Sequence, residues 1–164
     1  MKTVVGVSDY RVSGNTDETI ITYALGSCLG IAAYDPTINV GGLLHVMLPL
    51  SKADPEKAAS KPAMYVDTGF QLLLNDLYDL GAKKRNLKIT VAGGASMKPK
   101  GKDDYFKIGK RNITVLRKLL WKNKFMITSQ DVGGNKSRTM ALQIVDGYVS
   151  INKKPITGNE HYQH

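Results

Sequence analysis

Residues 18–50 read ETIITYALGSCLGIAAYDPTINVGGLLHVMLPL. Three apolar runs lie in this stretch: ETIITYAL (18–25), LGIAAY (29–34) and VGGLLHVMLPL (40–50). Each is short, and each is bounded by turn residues, the pattern of buried β-strands. The first breaks at LGSCLG, where glycines surround Ser27 and Cys28. The second and third are joined through a turn at Asp35-Pro36 and Asn39. If the second and third runs pair as antiparallel neighbours, the 17 residues between Cys28 and His45 can be spanned by a hairpin with a loop, and contact between the two side chains becomes feasible.

Working outward, KTVVGV (2–7) reads as a short strand, and Gly14, Asn15 and Asp17 mark a turn region. SKADPEKAASKP (51–62) is polar and small, and is expected to be a mobile surface loop. Met64, Phe70, Leu73, Leu74, Leu77 and Leu80 then recur at helical spacing, with Gly81 as the stop. LKITVAGG (87–94) reads as a strand and turn, and KPKGKDD (98–104) as a charged loop. Residues 109–124 form a second helical pattern. Asn112 is its expected N-cap, and Ile113, Leu116, Leu119 and Leu120 form its apolar face. FMITSQDV (125–132) is a strand ending in the turn GGNKSR (133–138). MALQIV and GYVSIN form a hairpin through Asp146-Gly147. Short strands with two helices in the second half predict the α+β class. The length, 164 residues, predicts one domain spanning 1–164.

The chain carries 23 Lys and Arg against 14 Asp and Glu, a net charge of +9. Such an excess favours an anionic partner without saying which. Its clusters are Lys83, Lys84 and Arg85; Lys98, Lys100 and Lys102; and Lys107, Lys110 and Arg111. Aromatics make up 7% of the chain and do not interleave with these cations, which disfavours stacking on nucleic acid. The N-terminus has no apolar region of signal-peptide length, and no run approaches the ~20 residues of a membrane span. A single cysteine permits no internal disulfide. The expected location is the cytoplasm, with no membrane insertion.

Two of the three histidines, His161 and His164, fall in a tail expected to fray. His45 and Cys28 remain as the chemistry-bearing pair. A lone cysteine in apolar surroundings is commonly an inert small hydrophobe, and a histidine beside Leu44 and Val46 fits a core role. Against that, Gly26, Ser27 and Gly30 frame Cys28 with small residues. Such residues let a substrate approach the backbone and let N–H groups face a developing oxyanion. The residues alone leave packing and catalysis both open. Metal binding is disfavoured, since one cysteine and one internal histidine fall short of four ligands. AGGASMKPKG and DVGGNKSRT lack the G-K-[ST] ending of a phosphate-binding loop. No cofactor is expected.

The sequence resembles the CheD family of chemoreceptor glutamine deamidases. The likeness lies in TYALGSC (22–28), HVMLP (45–49), YVDTGFQLLL (65–74), AGGASM (92–97), IGKRN (108–112) and DVGG (131–134) followed by Arg138. One departure is Ser137, where the family commonly has glycine. The resemblance implies a sandwich of mixed β-sheets with helices packed on one side, similar to the catalytic domain of the cytotoxic necrotizing factors. It implies a triad of Cys28, His45 and Thr22, with Ser27, Gly26 and Arg138 serving the oxyanion or the substrate. The cysteine would act as a thiolate paired with an imidazolium. It would convert glutamines of methyl-accepting chemotaxis receptors to glutamate through a thioester, with methylesterase activity as a side reaction. The resemblance also implies CheC as a partner. Two other readings stand beside it: a non-catalytic adaptor that activates the CheC phosphatase, and a basic nucleic-acid-binding module.

Overall fold

The computed structural model describes residues 1–96 and 107–155. Its elements are β1 (Lys2–Val4), β2 (Asp9–Ser13), β3 (Thr19–Leu25), β4 (Leu29–Asp35), β5 (Val40–Val46), α1 (Pro55–Ser60), α2 (Val66–Asp79), β6 (Lys88–Gly93), α3 (Ile108–Lys122), β7 (Ile127–Val132), β8 (Lys136–Gln143) and β9 (Val149–Pro155). The hairpin read from residues 29–50 forms as β4 and β5, antiparallel, with Gly30 opposite His45. Both strands are buried along their whole length. Burial on both faces is why their sequences run apolar instead of alternating.

Two mixed sheets result. A five-stranded sheet has the order β2-β5-β4-β6-β7, and a four-stranded sheet has the order β1-β3-β8-β9. One pair in each is parallel, β6 with β7 and β1 with β3. Side chains of β4 and β5 divide by the period of two. Leu29, Ile31, Ala33, Leu44 and Val46 pack with residues of α2 and α3, among them Phe70, Leu73, Leu77, Leu116 and Leu120. Ala32, Tyr34 and Leu43 pack instead with Ile20, Leu25, Met140 and Leu142 of the other sheet. The layers are helices, five-stranded sheet, four-stranded sheet. This is an α+β architecture with both long helices on one side.

The sheets approach closely at Gly30. A Cβ there would lie 2.8 Å from Met140 Sδ and 2.9 Å from a Leu25 methyl. Any side chain opposite His45 would push the layers apart.

Several segments depart from their sequence readings. Residues 51–62, expected as a mobile loop, instead carry helical turns and α1. Asp54 caps α1 by accepting from Lys57 N–H, and Pro55 supplies a preset first helical residue. Ser51 Oγ and N–H both bond the Asp67 carboxylate, which ties the segment to α2. β2 forms where only a turn region was expected. Its polar Asp9, Arg11 and Ser13 mask an edge strand whose Tyr10 and Val12 pack under α2. Lys136, Ser137 and Arg138 belong to β8, so the turn is confined to Gly133, Gly134 and Asn135, with both glycines at positive φ. α3 begins earlier than expected: Lys107, at φ 45°, is the cap, and Asn112 lies inside the helix and is fully buried. Lys98, Lys100, Lys102, His161 and His164 lie outside the described residues. Among the described residues, no helix is long and apolar enough to cross a membrane.

Candidate active site

His45 sits on the inter-sheet face of β5 and is completely buried. A buried imidazole needs partners, and the acid nearest in register, Asp9 of β2, is exposed and accepts from the N–H of Tyr10. The partner comes from the other sheet: Thr22 Oγ1 lies 2.7 Å from His45 Nδ1. The same hydroxyl donates to the Val5 carbonyl at 2.7 Å. A hydroxyl has one proton, and a carbonyl can only accept. Thr22 therefore accepts from Nδ1–H, which fixes the tautomer and leaves the lone pair on Nε2. Nε2 is buried and, among the described residues, has no hydrogen-bond partner.

Cys28 lies two residues before Gly30, on the face that His45 shares. It is half-buried against the inter-sheet cluster. The geometry thus brings Thr22, His45 and Cys28 to one end of the gap between the sheets. Thiol and ring are not hydrogen-bonded to each other. Burial pushes the Cys28 thiol up to about 11 and the His45 imidazole down to about 4. Both changes favour neutral forms, because low dielectric penalises charge. In the free protein both displacements favour thiol and neutral imidazole over the thiolate–imidazolium pair that the resemblance implies.

The segment carrying Cys28 is shaped by a β-bulge. Thr22 pairs with Met140 and Leu25 with Arg138, so β3 holds one extra residue, and Ala24 sits at φ 59°. The bulge keeps both Thr22 and Leu25 facing inward and swings the chain out at Gly26. The carbonyls that follow are each held. Ala95 N–H donates to Gly26 O and Gly94 N–H to Cys28 O, both at 2.9 Å. Asn112 Nδ2 donates to Ser27 O at 3.0 Å and to Met47 O at 3.1 Å. Gly26 N–H is spent on Ala24 O, so Gly26 offers no free donor. Among the described residues, no acceptor takes the N–H of Ser27, and the Cys28 N–H lies against its own sulfur.

Arg138 is nearly buried and is committed elsewhere. Its guanidinium bonds Gly93 O, Gly133 O, Lys136 O and Asp131 Oδ1 at 2.9–3.3 Å. It braces the ends of β6 and β7 and is not a group held open for substrate. Gly93, which it supports, is at φ 112°, and a Cβ there would fall 2.1 Å from Cys28 O. Arg138 thus bears on the Cys28 segment through the backbone it holds.

Comparison with known proteins bears on this arrangement. The family model for CheD, described as chemotactic sensory transduction, matches residues 47–153. The probable chemoreceptor glutamine deamidase CheD 1 of Syntrophus aciditrophicus is 47% identical over 150 residues, 90% of this chain and 91% of that one. This chain belongs to the CheD family. The probable chemoreceptor glutamine deamidase CheD of Pyrococcus abyssi is 43% identical, covering 91% of this chain and 90% of its own. The CheD family model begins just past His45, so Cys28, His45 and Thr22 rest on the geometry above.

Within this CheD chain, Thr22→Val tests the orienting bond. Valine keeps the shape and removes the hydroxyl, leaving Val5 O and His45 Nδ1–H unpaired. Stability should fall by about 1–3 kcal/mol, the usual cost of an orphaned buried group. The rate of any reaction that uses His45 should fall ~10–100-fold, because the ring loses its tautomer lock. Thermal melts and turnover measured on the same preparation check both.

Proposed function

We propose that this protein deamidates glutamine side chains of chemoreceptors, with Cys28 as nucleophile, His45 as base and Thr22 as its orienting partner. The observation that carries the reading is the directional chain from Val5 O through Thr22 to His45. It leaves an unpaired lone pair on Nε2, on the face that carries Cys28. The CheD relatives, named as chemoreceptor glutamine deamidases, supply the substrate.

As a glutamine amide enters, His45 Nε2 takes the thiol proton while sulfur attacks the amide carbon. Electron density moves from sulfur to the carbonyl oxygen, which the N–H groups of Ser27 and Cys28 receive. The imidazolium then protonates the departing nitrogen, which leaves as ammonia, and a thioester remains. Water, deprotonated by His45, attacks the thioester. Glutamate leaves and the thiol is restored. The same steps would cleave a glutamate methyl ester with methanol as leaving group.

In this reading the chain acts as one cytoplasmic unit over 1–164, a counterpart of the cytotoxic necrotizing factor catalytic domain. The basic face of α3, with Lys110, Arg111, Lys118 and Lys122 exposed, would meet an acidic receptor surface. Binding to CheC would be separable from catalysis and would survive Cys28→Ala.

Mass spectrometry of a receptor cytoplasmic fragment after incubation with the protein tests the proposal. Conversion of discrete glutamines to glutamates, with stoichiometric ammonia, is expected. An unchanged fragment after exhaustive incubation would overturn it.

A further inference from the structure

Asn112 is fully buried, on a helix of the outer layer, yet both of its donated bonds leave that helix. One goes to Ser27 O, in the peptide unit that also contains the Cys28 N–H. The other goes to Met47 O, two residues beyond His45. One amide group therefore joins the nucleophile segment to the histidine strand. Its orientation is unambiguous, because a flipped amide would set Oδ1 against two carbonyl oxygens. The arrangement is made at a cost: among the described residues, nothing partners the buried Asn112 Oδ1.

No cis peptide bond occurs among the described residues. In a trans unit the C=O and N–H point in opposite directions. Pinning Ser27 O toward α3 therefore turns Cys28 N–H away from α3. Ala95 N–H does the same for the preceding unit by holding Gly26 O, which aims Ser27 N–H. Of these two holding groups, only Asn112 is a side chain, so only it can be removed by substitution.

We propose that Asn112 is a positioning residue for the oxyanion hole, aiming the Cys28 N–H by holding the Ser27 carbonyl. The inference rests on the deamidase reading. It separates two consequences that an ordinary packing role would tie together. Attack on an amide builds negative charge on oxygen and needs the aimed N–H. Alkylation of the Cys28 sulfur by iodoacetamide displaces iodide and builds no oxyanion.

The test uses the full-length protein, Asn112→Ala and Asn112→Thr, with the same receptor fragment and with iodoacetamide. Deamidation kcat should fall about 10–100-fold in the alanine variant, short of the ~100–1000-fold typical of deleting a donor outright. KM should stay within about threefold, since the oxyanion exists only beyond the ground state. The alkylation rate of Cys28 at fixed pH should fall far less than kcat, by no more than about threefold, because the Cys28 N–H also faces the sulfur but burial dominates the thiol's pKa. Threonine keeps a hydroxyl donor at similar volume and should restore part of kcat, and it serves alone if the alanine variant does not fold. An unaltered kcat, or equal falls in alkylation and kcat, would overturn the positioning role. A wild-type protein that alkylates but never deamidates would instead overturn the deamidase reading, and this inference with it.

Discussion

Cys28→Ala is expected to reduce glutamine deamidation by at least ~10⁴-fold, to the background of the assay, while the fold survives. No neighbour can take over. Ser27 is adjacent, but a serine hydroxyl is a far weaker nucleophile than a thiol unless a base is placed against it. The structural cost is small. Cys28 is only half-buried, and losing one sulfur from such a site costs about 1 kcal/mol or less. A melting temperature within a few degrees of wild type is the matching control. The thiol also carries its own signature. With its pKa pushed up to about 11, the free protein holds little thiolate at neutral pH. Iodoacetamide should therefore label Cys28 slowly at pH 7, and the rate should climb with pH until about 11. Folding stability follows the same displacement: it is full below the ordinary thiol range and is lost as pH rises through about 11. Rapid labelling at neutral pH would show an ion pair already formed, and would sink the neutral-pair account.

Much of this site is legible in the sequence because the decisive residues sit on one hairpin. LGIAAY and VGGLLHV are apolar runs closed by turn residues, so their pairing follows from local signals. A period of two then places positions 28, 30 and 45 on one face. Thr22 is not legible in that way. It belongs to the opposite sheet, and no periodicity reveals which strand of a second layer faces a given histidine. The family resemblance supplies it, and the hydrogen bond to Nδ1 explains it. Asn112 reads wrongly as a helix start because asparagine is a good N-cap and the residues before it look like a loop. The signal against that reading is its spacing. Asn112, Leu116 and Leu120 lie four apart, so a polar side chain sits on the buried stripe of the helix and needs polar partners there. Asp54-Pro55 holds a similar signal, since an acidic cap followed by proline opens helices. Arg138 carries the opposite lesson. A charged residue after a glycine turn invites a substrate role, but its bonds to three carbonyls and Asp131 make it a brace.

His45→Gln should remove two properties at once, one catalytic and one thermodynamic. Without a base the thiol proton has nowhere to go, and deamidation should fall at least ~10³-fold. The wild-type enzyme should show an unusual acid limb. kcat/KM reports the free enzyme's base, here held down to about 4 by burial. The rate should stay level well below pH 6 instead of falling near the ordinary histidine value of 6.5. The same depression bears on stability. Between pH 6.5 and about 4 the unfolded chain binds a proton on this residue and the folded chain does not. Stability contributed by the neutral, buried ring is therefore full above 6.5 and is lost as pH falls toward 4. The size is roughly 3 kcal/mol, since each tenfold loss of proton affinity on folding is worth about 1.4 kcal/mol. Glutamine does not titrate, so the variant should lack this loss. Glu18, held down to about 2 mainly by its bond to Arg11, adds a separate loss below its usual 4.5 that both proteins share, which gives an internal control. Urea titrations at pH 7 and pH 4.5 read the difference directly. Equal slopes of stability against pH in the two proteins would mean that His45 titrates at its ordinary value in the folded state, and would sink the depressed acid limb.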